Sequence, residues 1–350
     1  MDLIHKFLNL VAPPFTFFTL LLFLPPFQFF KFFLSVLGTL YGEDVAGKVV
    51  VITGASSGIG ESLAYEYAKR GACLVLAARR ETSLQEVADR ARDLGAPDVV
   101  VVRADVSKAE DCRKVVDRAM NHFGRLDHLV NNAGVMAVSM LEDIEDVTDF
   151  KAVMDINFWG SVYMTKFAVP YLKNSRGRIV VISSSASWLP APRETFYNAS
   201  KAAVTQFFET LRVEFGQDIG ITLVTPGFIE SELTQGKFVN KAGRLEVDQE
   251  MRDVQVNLVP IQTVERTAKA IVRSAIRGER YVTEPAWFRM TYIWKVLCPE
   301  VLEWMYRILL VTGQGEHPKE AFGKKVLDYT PGAKSLLYPE TVQVPEQKKD

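Results

Sequence analysis

The chain has 350 residues, 48% of them hydrophobic, and a formal net charge of −1, which is enough to bury one large core and to leave residues for additional segments. The near-zero charge and the lack of a basic tract give no electrostatic argument for a nucleic-acid partner. Three widely spaced cysteines and four scattered histidines indicate neither a disulfide framework nor a metal site, and reduced thiols fit a cytosolic environment.

The first part of the chain is strongly apolar. From Phe7 to Leu40 the only formal charge is Lys31. A cleaved signal peptide fits poorly, because the apolar stretch is too long and no clear small-x-small cleavage site precedes the rest of the chain. Residues 1–41 are therefore predicted to anchor the protein in a membrane or at a lipid droplet.

Two proline pairs suggest the shape of this anchor. Pro13-Pro14 and Pro25-Pro26 leave only Phe15 to Leu24 between them, about 15 Å of helix, whereas a bilayer core is ~30 Å thick. We expect two short arms, bent at the prolines, that enter and leave by the same side. Such a hairpin also suits a lipid droplet, whose phospholipid monolayer has no second aqueous side. The alternative is a kinked helix that spans a bilayer, because membrane helices tolerate prolines.

A glycine-rich turn follows the first strand-like run. The β-branched run Lys48–Ile52 is followed by Gly54, Gly58 and Gly60, and Glu61–Arg70 is typical of a helix. A turn between a strand and a helix start lets backbone N–H groups and the positive end of the helix dipole meet a pyrophosphate. An ordinary glycine-rich loop is the alternative.

Short apolar strands alternate with helical stretches from residue 45 to residue 285. This alternation predicts an α/β fold with right-handed crossovers, namely a Rossmann-like, doubly wound parallel sheet. The sheet would follow the apolar anchor in the chain.

The second strand ends in two arginines. Cys73–Ala78 is followed by Arg79 and Arg80, where dinucleotide sites that prefer NAD usually carry an acidic residue for the ribose 2′-hydroxyl. A guanidinium instead suits a 2′-phosphate. We therefore predict NADP(H) as the cofactor, with NAD at a lower preference. Arg80 has the alternative of being a solvated residue at a helix start.

A serine, a tyrosine and a lysine indicate the chemistry. The strand-like run Gly177–Ile182 ends in Ser183-Ser184-Ser185, and Tyr197 follows Ser184 by thirteen positions. Tyr197 and Lys201 are four apart, so on a helix they share a face, and an ammonium near a phenol favours phenolate and moves its pKa toward neutrality. Ser184 can orient a substrate oxygen. The Tyr-x-x-x-Lys spacing by itself also fits a solvated helix face, but this context indicates hydride transfer.

These motifs and four others in the same order resemble the short-chain dehydrogenase/reductase family over residues 45 to 285. The four others are Asp105, Asn131-Asn-Ala-Gly134, Asn157 and Pro226-Gly227. The resemblance implies that Tyr197 is the catalytic acid/base, that Ser184 binds the substrate oxygen, and that Lys201 holds the nicotinamide ribose and lowers the tyrosine pKa. It also implies that Asn157 completes a proton relay through water. Asn157 could instead be a helix asparagine bonded to backbone.

The same resemblance implies a set of cofactor-binding residues. Asp105 resembles the adenine-ring contact, although it could also be a helix N-cap, and Ser231 takes the place of a threonine that helps to bind the nicotinamide. The whole set is Gly54, Ser56, Ser57, Gly58, Ile59, Gly60, Arg79, Arg80, Asp105, Asn131, Ala133, Gly134, Tyr197, Lys201, Pro226, Gly227 and Ser231.

An apolar, proline-interrupted anchor ahead of such a domain closely resembles the steroleosins, a family of plant seed oil-body proteins also described as 11β-hydroxysteroid dehydrogenase-like. This resemblance implies NADP-linked interconversion of hydroxyl and keto groups of sterols or steroids, of the 11β- or 17β-hydroxysteroid dehydrogenase kind. It also implies attachment to the lipid droplet, or to the endoplasmic reticulum where droplets form, with the catalytic domain in the cytosol.

The rest of the chain leaves several alternatives open. Residues 239–259 are expected to form either a mobile lid or a surface excursion. The aromatic extension, residues 286–335, could line a sterol entrance, touch a membrane interface, or pack against the domain or a homodimer partner. Residues 336–350 are expected to form a polar tail, disordered at its end.

Two other functions remain possible from the sequence. The chain could be a structural or sterol-binding lipid-droplet protein with little turnover, although the intact Ser184, Tyr197 and Lys201 argue against this. It could also be a reductase of another lipid ketone, because a large apolar pocket admits many flat lipids.

Overall fold

The computed structural model describes residues 2–40, 42–313 and 316–343, and of residues 34–40 it describes the backbone alone. Two compact units are present, Met1–Asp44 and Val45–Asp350. The second unit therefore includes both the expected catalytic domain and the expected aromatic extension.

Seven parallel strands form the central sheet of the second unit, in the order β3-β2-β1-β4-β5-β6-β9, and a separate antiparallel hairpin pairs β7 with β8. The strands are β1 Val49–Thr53, β2 Cys73–Ala78, β3 Val99–Arg103, β4 His128–Asn131, β5 Arg178–Ile182, β6 Gly220–Pro226, β7 Lys237–Val239, β8 Leu245–Val247 and β9 Tyr281–Glu284. The strand order reverses between β1 and β4, where sheets of this class bind ligands. The predicted Rossmann-like, doubly wound sheet is confirmed.

Helices cover both faces of this sheet. The α-helices are α1 Asp2–Leu40, α2 Gly58–Ala68, α3 Glu81–Asp93, α4 Ala109–Phe123, α5 Lys151–Met154, α6 Gly160–Ser175, α7 Thr195–Phe215, α8 Gln249–Val256, α9 Val264–Ile276, α10 Arg289–Leu297, α11 Pro299–Leu310, α12 Phe322–Tyr329, α13 Ala333–Leu337 and α14 Glu340–Gln343. Alternate residues of β1 face opposite layers, because side chains alternate along a strand. Val50 and Ile52 pack with α2, α3 and α9, whereas Val49 and Val51 pack with α4, α6 and α7.

The anchor differs from the expected hairpin. It is one continuous helix, α1, and Pro13, Pro14, Pro25 and Pro26 all lie inside it. Each proline removes one intrahelical hydrogen bond and its ring crowds the carbonyl four residues earlier, yet the helix continues through both proline pairs. Residues Asp2–Phe33 form a helix long and apolar enough to cross a membrane by length and composition. The structure therefore favours the single-helix alternative over two arms.

The segments after β6 close over the carboxyl edge of the sheet. The β7–β8 hairpin and α8 occupy the region expected to be a lid or a surface excursion. Helices α12 to α14 pack onto this region, and the Tyr338 hydroxyl donates to the Asn257 carbonyl at 2.7 Å. Tyr338 and Val342 are buried, so the segment expected to be a polar tail is folded up to Gln343. Residues 344–350 lie outside the described part of the chain.

Candidate active site

The glycine-rich turn joins β1 to α2 and packs against the loop after β4. Gly54 has a φ of 65°, which side chains rarely tolerate, and a Cβ there would lie 2.8 Å from the Ala133 Cα atom. A Cβ on Gly60 would lie 2.3 Å from the Gly54 carbonyl oxygen. Gly54 and Gly58 line the cleft, whereas Gly60 acts through close packing. The turn therefore leaves exposed backbone where a pyrophosphate could approach.

Two residues that the sequence interpretation did not assign to the site hold this turn. The Asn132 side chain donates to the carbonyls of Thr53, at 2.9 Å, and Gly54, at 3.2 Å. The Thr53 hydroxyl accepts from the Asn132 and Ala133 backbone N–H groups at 3.0 and 3.2 Å. These bonds fix the ends of β1 and β4 side by side.

One of the residues predicted to bind the cofactor does not line the cleft. Asn131 is buried, and its amide donates to the Thr165 hydroxyl at 2.9 Å. Asn132, Ala133 and Gly134 line the cleft instead. Successive side chains of a strand point to opposite sides, which accounts for this placement, and a contact of Asn131 with the cofactor stays a prediction.

The arginines after β2 behave differently from each other. Arg79 is exposed at the cleft. Arg80 donates to both carboxylate oxygens of Glu232, at 2.5 and 3.0 Å, and to the hydroxyls of Ser56 and Ser57, at 3.2 and 2.7 Å. Arg80 is therefore not a solvated helix-start residue, although it is the N-cap of α3.

Glu232 is not among the residues that were predicted from the sequence to form the site. Its carboxylate also accepts from the Ser57 hydroxyl at 3.2 Å and lies 3.5 Å from the Lys237 ammonium. Arg80, Lys237 and Ser57 hold the pKa of this carboxyl below its usual range despite its burial. The pair joins the end of β2 to the segment after β6, across the cofactor end of the cleft.

Asp105 lines the cleft after β3. Its carboxylate accepts from the backbone N–H and hydroxyl of Ser107, at 3.1 and 2.8 Å. The N-cap of α4 is Lys108, so the alternative role of Asp105 as the helix cap is wrong. Its side chain instead shapes the loop that borders the cleft.

Ser184, Tyr197 and Lys201 come together at the carboxyl edge of the sheet, and all three are buried. Ser184 follows β5, and its hydroxyl accepts from the Ala186 backbone N–H at 3.1 Å. Tyr197 and Lys201 share a face of α7, and the Lys201 ammonium lies 5.7 Å from the centre of the Tyr197 ring. The Lys201 ammonium also donates to the Ile182 carbonyl at 2.9 Å, which ties α7 to the end of β5.

The pKa of Tyr197 moves in the opposite direction from the sequence prediction. Burial raises it, Glu194 raises it further, and a hydrogen bond with Ser184 acts in the lowering direction. Burial also lowers the pKa of Lys201 to about 8. The prediction was wrong because desolvation penalises both the phenolate and the ammonium. The phenol is therefore protonated at neutral pH.

Asn157 lies in a π-helical turn, Asp155–Trp159, just before α6. Its amide donates to the Val135 carbonyl at 2.9 Å and to the Ser200 hydroxyl at 2.9 Å, and its oxygen accepts from the Val135 N–H at 2.8 Å. The side chain is thus bonded to backbone, as the alternative interpretation expected. A Cβ on Gly134 would lie 3.2 Å from the Asn157 oxygen and 3.5 Å from the Lys201 ammonium, so Asn157 lies close to the catalytic lysine candidate.

The segment after β6 forms the opposite wall. Pro226, Gly227 and Ser231 line the cleft, and the Ser184 hydroxyl donates to the Pro226 carbonyl at 3.4 Å. Ser231 faces the glycine-rich turn, because a Cβ on Gly58 would lie 3.3 Å from the Ser231 Cβ. The residues of this segment that were predicted to bind the cofactor therefore line the same cleft as the glycine-rich turn.

One continuous cavity of about 1070 Å³ connects the glycine-rich turn to Tyr197 and then to an apolar end. This end is lined by Leu189, Val259, Phe288, Met305 and Leu309. The aromatic extension thus lines the cavity. Part of it also faces outward, since Trp294 and Trp304 are 51% and 67% exposed.

The family model described as short chain dehydrogenase matches residues 48–242, and this chain belongs to the short-chain dehydrogenase family. It is an oxidoreductase of that family. The predicted membership is confirmed, and full-length plant relatives support the resemblance to the steroleosins.

Three of these relatives span essentially the whole chain. The "11-beta-hydroxysteroid dehydrogenase A" of Sesamum indicum is 79% identical over 350 residues, with 100% of both chains covered. The "11-beta-hydroxysteroid dehydrogenase 1A" of Arabidopsis thaliana is 60% identical with the same coverage. The "11-beta-hydroxysteroid dehydrogenase" of Pinus massoniana is 45% identical over 356 aligned positions, again with 100% of both chains covered.

Two solved structures share the fold. A short chain dehydrogenase/reductase from Burkholderia phymatum in complex with NAD is 29% identical, with a TM-score of 0.64, and covers 75% of this chain and 96% of its own. An alcohol dehydrogenase from the archaeon Thermococcus sibiricus complexed with 5-hydroxy-NADP is 26% identical, with a TM-score of 0.56, and covers 67% of this chain and 94% of its own.

Proposed function

We propose that this protein is an NADP-dependent hydroxysteroid dehydrogenase that interconverts hydroxyl and keto groups of steroids or sterols at a lipid surface. One observation carries the proposal. Ser184, Tyr197 and Lys201 lie together in the middle of a cavity that runs from the glycine-rich turn to an apolar, aromatic end. The names of the full-length relatives support a steroid as the substrate.

The residues divide the reaction between them. A bound nicotinamide cofactor would accept or supply the hydride at the substrate carbon. Tyr197 gives the proton to the substrate oxygen in reduction and takes it back in oxidation, while Ser184 holds that oxygen by a hydrogen bond. Lys201 lies beneath the phenol and stabilises the phenolate when it forms. The apolar end of the cavity excludes water and holds the rings.

The choice of NADP(H) rests on the basic residues at the cofactor end. Arg79 and Arg80 stand directly after β2, at the place where NAD sites usually carry an acidic residue, and the hydroxyls of Ser56 and Ser57 lie within hydrogen-bonding distance of Arg80. Guanidinium groups bind phosphate in bidentate fashion. The Arg80–Glu232 pair must rearrange if Arg80 is to meet a phosphate. NAD remains the less preferred cofactor.

The location follows from α1. A helix with exposed phenylalanine and leucine side chains along its length is stable only in lipid or against a partner, because exposed apolar surface is unfavourable in water. We propose that residues 1–41 attach the protein to a lipid droplet or to the endoplasmic reticulum membrane, with the second unit in the cytosol.

Turnover with a panel of alcohols tests the function. Wild type should form NADPH from hydroxysteroids much faster than NADH, and much faster than from unrelated lipid alcohols. Tyr197→Phe should lower the rate by about 100-fold or more, because proton transfer is lost. Tyr171→Phe is the matched control, since Tyr171 does not line the cavity.

Three outcomes would contradict parts of the proposal. Equal rates for wild type and Tyr197→Phe would exclude the proposed acid/base. Preference for NAD would overturn the cofactor choice. Bound cofactor with no turnover of any alcohol would favour a sterol-binding or structural role at the lipid surface.

A further inference from the structure

A buried carboxylic acid lies in the substrate part of the cavity, apart from the three residues of the proposed chemistry. Glu194 is the N-cap residue of α7, and only 4% of its surface is exposed. It lines the cavity together with Leu189, Tyr306 and Leu310. A carboxyl group in such apolar surroundings is rare unless it is paired.

Nothing in the described part of the chain pairs with this carboxyl. The Glu194 side chain makes no hydrogen bond or ion pair with another described residue. The guanidinium of its neighbour Arg193 points elsewhere and donates to the Leu310 carbonyl at 2.6 Å. Arg193 also has a φ of 68°, an unfavourable backbone conformation for a residue with a side chain. The neighbouring guanidinium is thus bonded to a backbone carbonyl and not to this carboxyl.

The surroundings keep this acid neutral. Burial raises the pKa of Glu194 to about 8. A neutral carboxyl has one O–H donor and one carbonyl acceptor, and it can therefore bind either a hydroxyl or a keto oxygen. Its presence in the cavity leaves both of these groups free for a ligand.

The position of Glu194 relates it to the reacting centre. It precedes Tyr197 by three residues, as the N-cap residue directly before the first turn of α7. Its charge, when present, raises the pKa of both Tyr197 and Tyr306. Glu194 therefore lines the same cavity as Tyr197 and Tyr306 and is electrostatically coupled to both phenols.

We infer that Glu194 is a specificity residue that binds a second oxygen of the substrate, a hydroxyl or keto group on a carbon near the one that is oxidised or reduced. The inference rests on the proposed function. It narrows the substrate class from steroids with a single reactive oxygen to steroids with two neighbouring oxygens. A buried carboxyl left without a partner destabilises the fold, so the ligand is the partner that this residue lacks.

The test compares pairs of steroids that share the same oxidisable hydroxyl but differ in one additional neighbouring hydroxyl. 17β-Estradiol and estriol form the first pair. In wild type, kcat/KM should be higher for the steroid with two neighbouring oxygens. Glu194→Leu should lower the ratio of the two kcat/KM values by about tenfold, the value of one hydrogen bond to the ligand. Glu194→Gln should keep most of the ratio, because a carboxamide also donates and accepts.

The thermal stability of the Glu194→Leu variant distinguishes a role of Glu194 in substrate binding from a role in holding the fold. Glu194→Leu should raise the Tm in the absence of ligand, because it replaces an unpaired buried carboxyl by an apolar side chain of similar size. A structural role predicts a lower Tm. Glu214→Leu, at an exposed position of the same helix, is the matched control and should change neither the substrate ratio nor the Tm.

The possible outcomes show separately whether the role of Glu194 or the proposed function fails. If wild type oxidises steroids but no pair shows a preference that depends on residue 194, the inference is overturned and the proposed function stands. If Glu194→Leu does not fold, a structural role is shown and the inference is overturned. If wild type oxidises no steroid, the proposed function itself fails.

Discussion

At the scale of single residues, burial has the largest effect on the protonation of Tyr197 and Lys201. Burial raises the pKa of the phenol and lowers that of Lys201 to about 8. A protonated phenol is ready to give its proton to a developing alkoxide. In the proposed reaction, the protonated phenol is the form that acts in reduction of a ketone, and the phenolate is the form that oxidation of an alcohol requires.

The pH dependence of the two directions checks this account. Oxidation requires the phenolate, whose folded pKa is raised, so kcat for oxidation should rise by about tenfold per pH unit between pH 6 and 8. Reduction requires the phenol and should stay nearly constant over this range. Steady-state rates in both directions, with circular dichroism as the control for folding, give the result. An oxidation rate that does not change with pH would contradict a phenol that is protonated throughout this range.

Residue types and spacings predicted that these three side chains lie together, but not their electrostatics. Ser184, Tyr197 and Lys201 are recognisable because their spacing places them at one strand end and on one helix face. The pKa of Tyr197 depends on how completely the folded chain excludes water, which no local pattern reports. Glu194 was missed for the same reason, because an isolated glutamate in the sequence gives no sign that it will be buried.

At the scale of elements, the sequence predicted those structural units well whose parts are consecutive in the chain. The β1, turn and α2 unit is an example, since its β-branched run, its glycines and its helix follow one another directly. The Arg80–Glu232 pair joins residues 152 positions apart. Its formation depends on the path of the segment after β6, so the sequence pattern around either residue could not predict it.

For helix α1 the prediction was wrong because the rule that prolines end a helix was applied too strictly. Four prolines predicted a hairpin, but the structure has one helix from Asp2 to Leu40. A proline inside a helix removes one hydrogen bond and adds a steric clash, which can kink the helix without ending it. The apolar character of this segment is visible in the sequence itself, and the proposed attachment to lipid depends on it.

The role of α1 can be tested by partition onto triolein droplets coated with phospholipid. The chain without residues 1–44 should stay folded, because Val45–Asp350 is a compact unit of its own, but it should largely lose droplet binding. Full-length protein with Leu20→Lys, Leu21→Lys and Phe23→Lys should also lose it, since each lysine costs roughly 2.5–3.5 kcal/mol at the centre of a membrane helix. Undiminished binding of both variants would show that the second unit carries the lipid affinity.

At the scale of the whole molecule, the sequence predicted the sheet but not the closure of the cavity. Regular alternation of strands and helices leaves few topologies for a parallel sheet, and the observed strand order is one of them. The cavity is completed by α8, α10 and α11, which lie far along the chain and have no motif. These helices contribute to the cavity through tertiary packing, which no local pattern predicts. The domain and the aromatic extension, which were expected to be separate, form one compact unit.

The most direct test of the account follows the hydrogen itself. A hydroxysteroid carrying deuterium on its carbinol carbon is incubated with the full-length protein and NADP⁺, and the product cofactor is analysed by mass spectrometry. Transfer of the deuterium into NADPH, reduced by at least about 100-fold in Tyr197→Phe, is the result predicted here. NADPH without deuterium, or equal transfer by the variant, would contradict hydride transfer at this site.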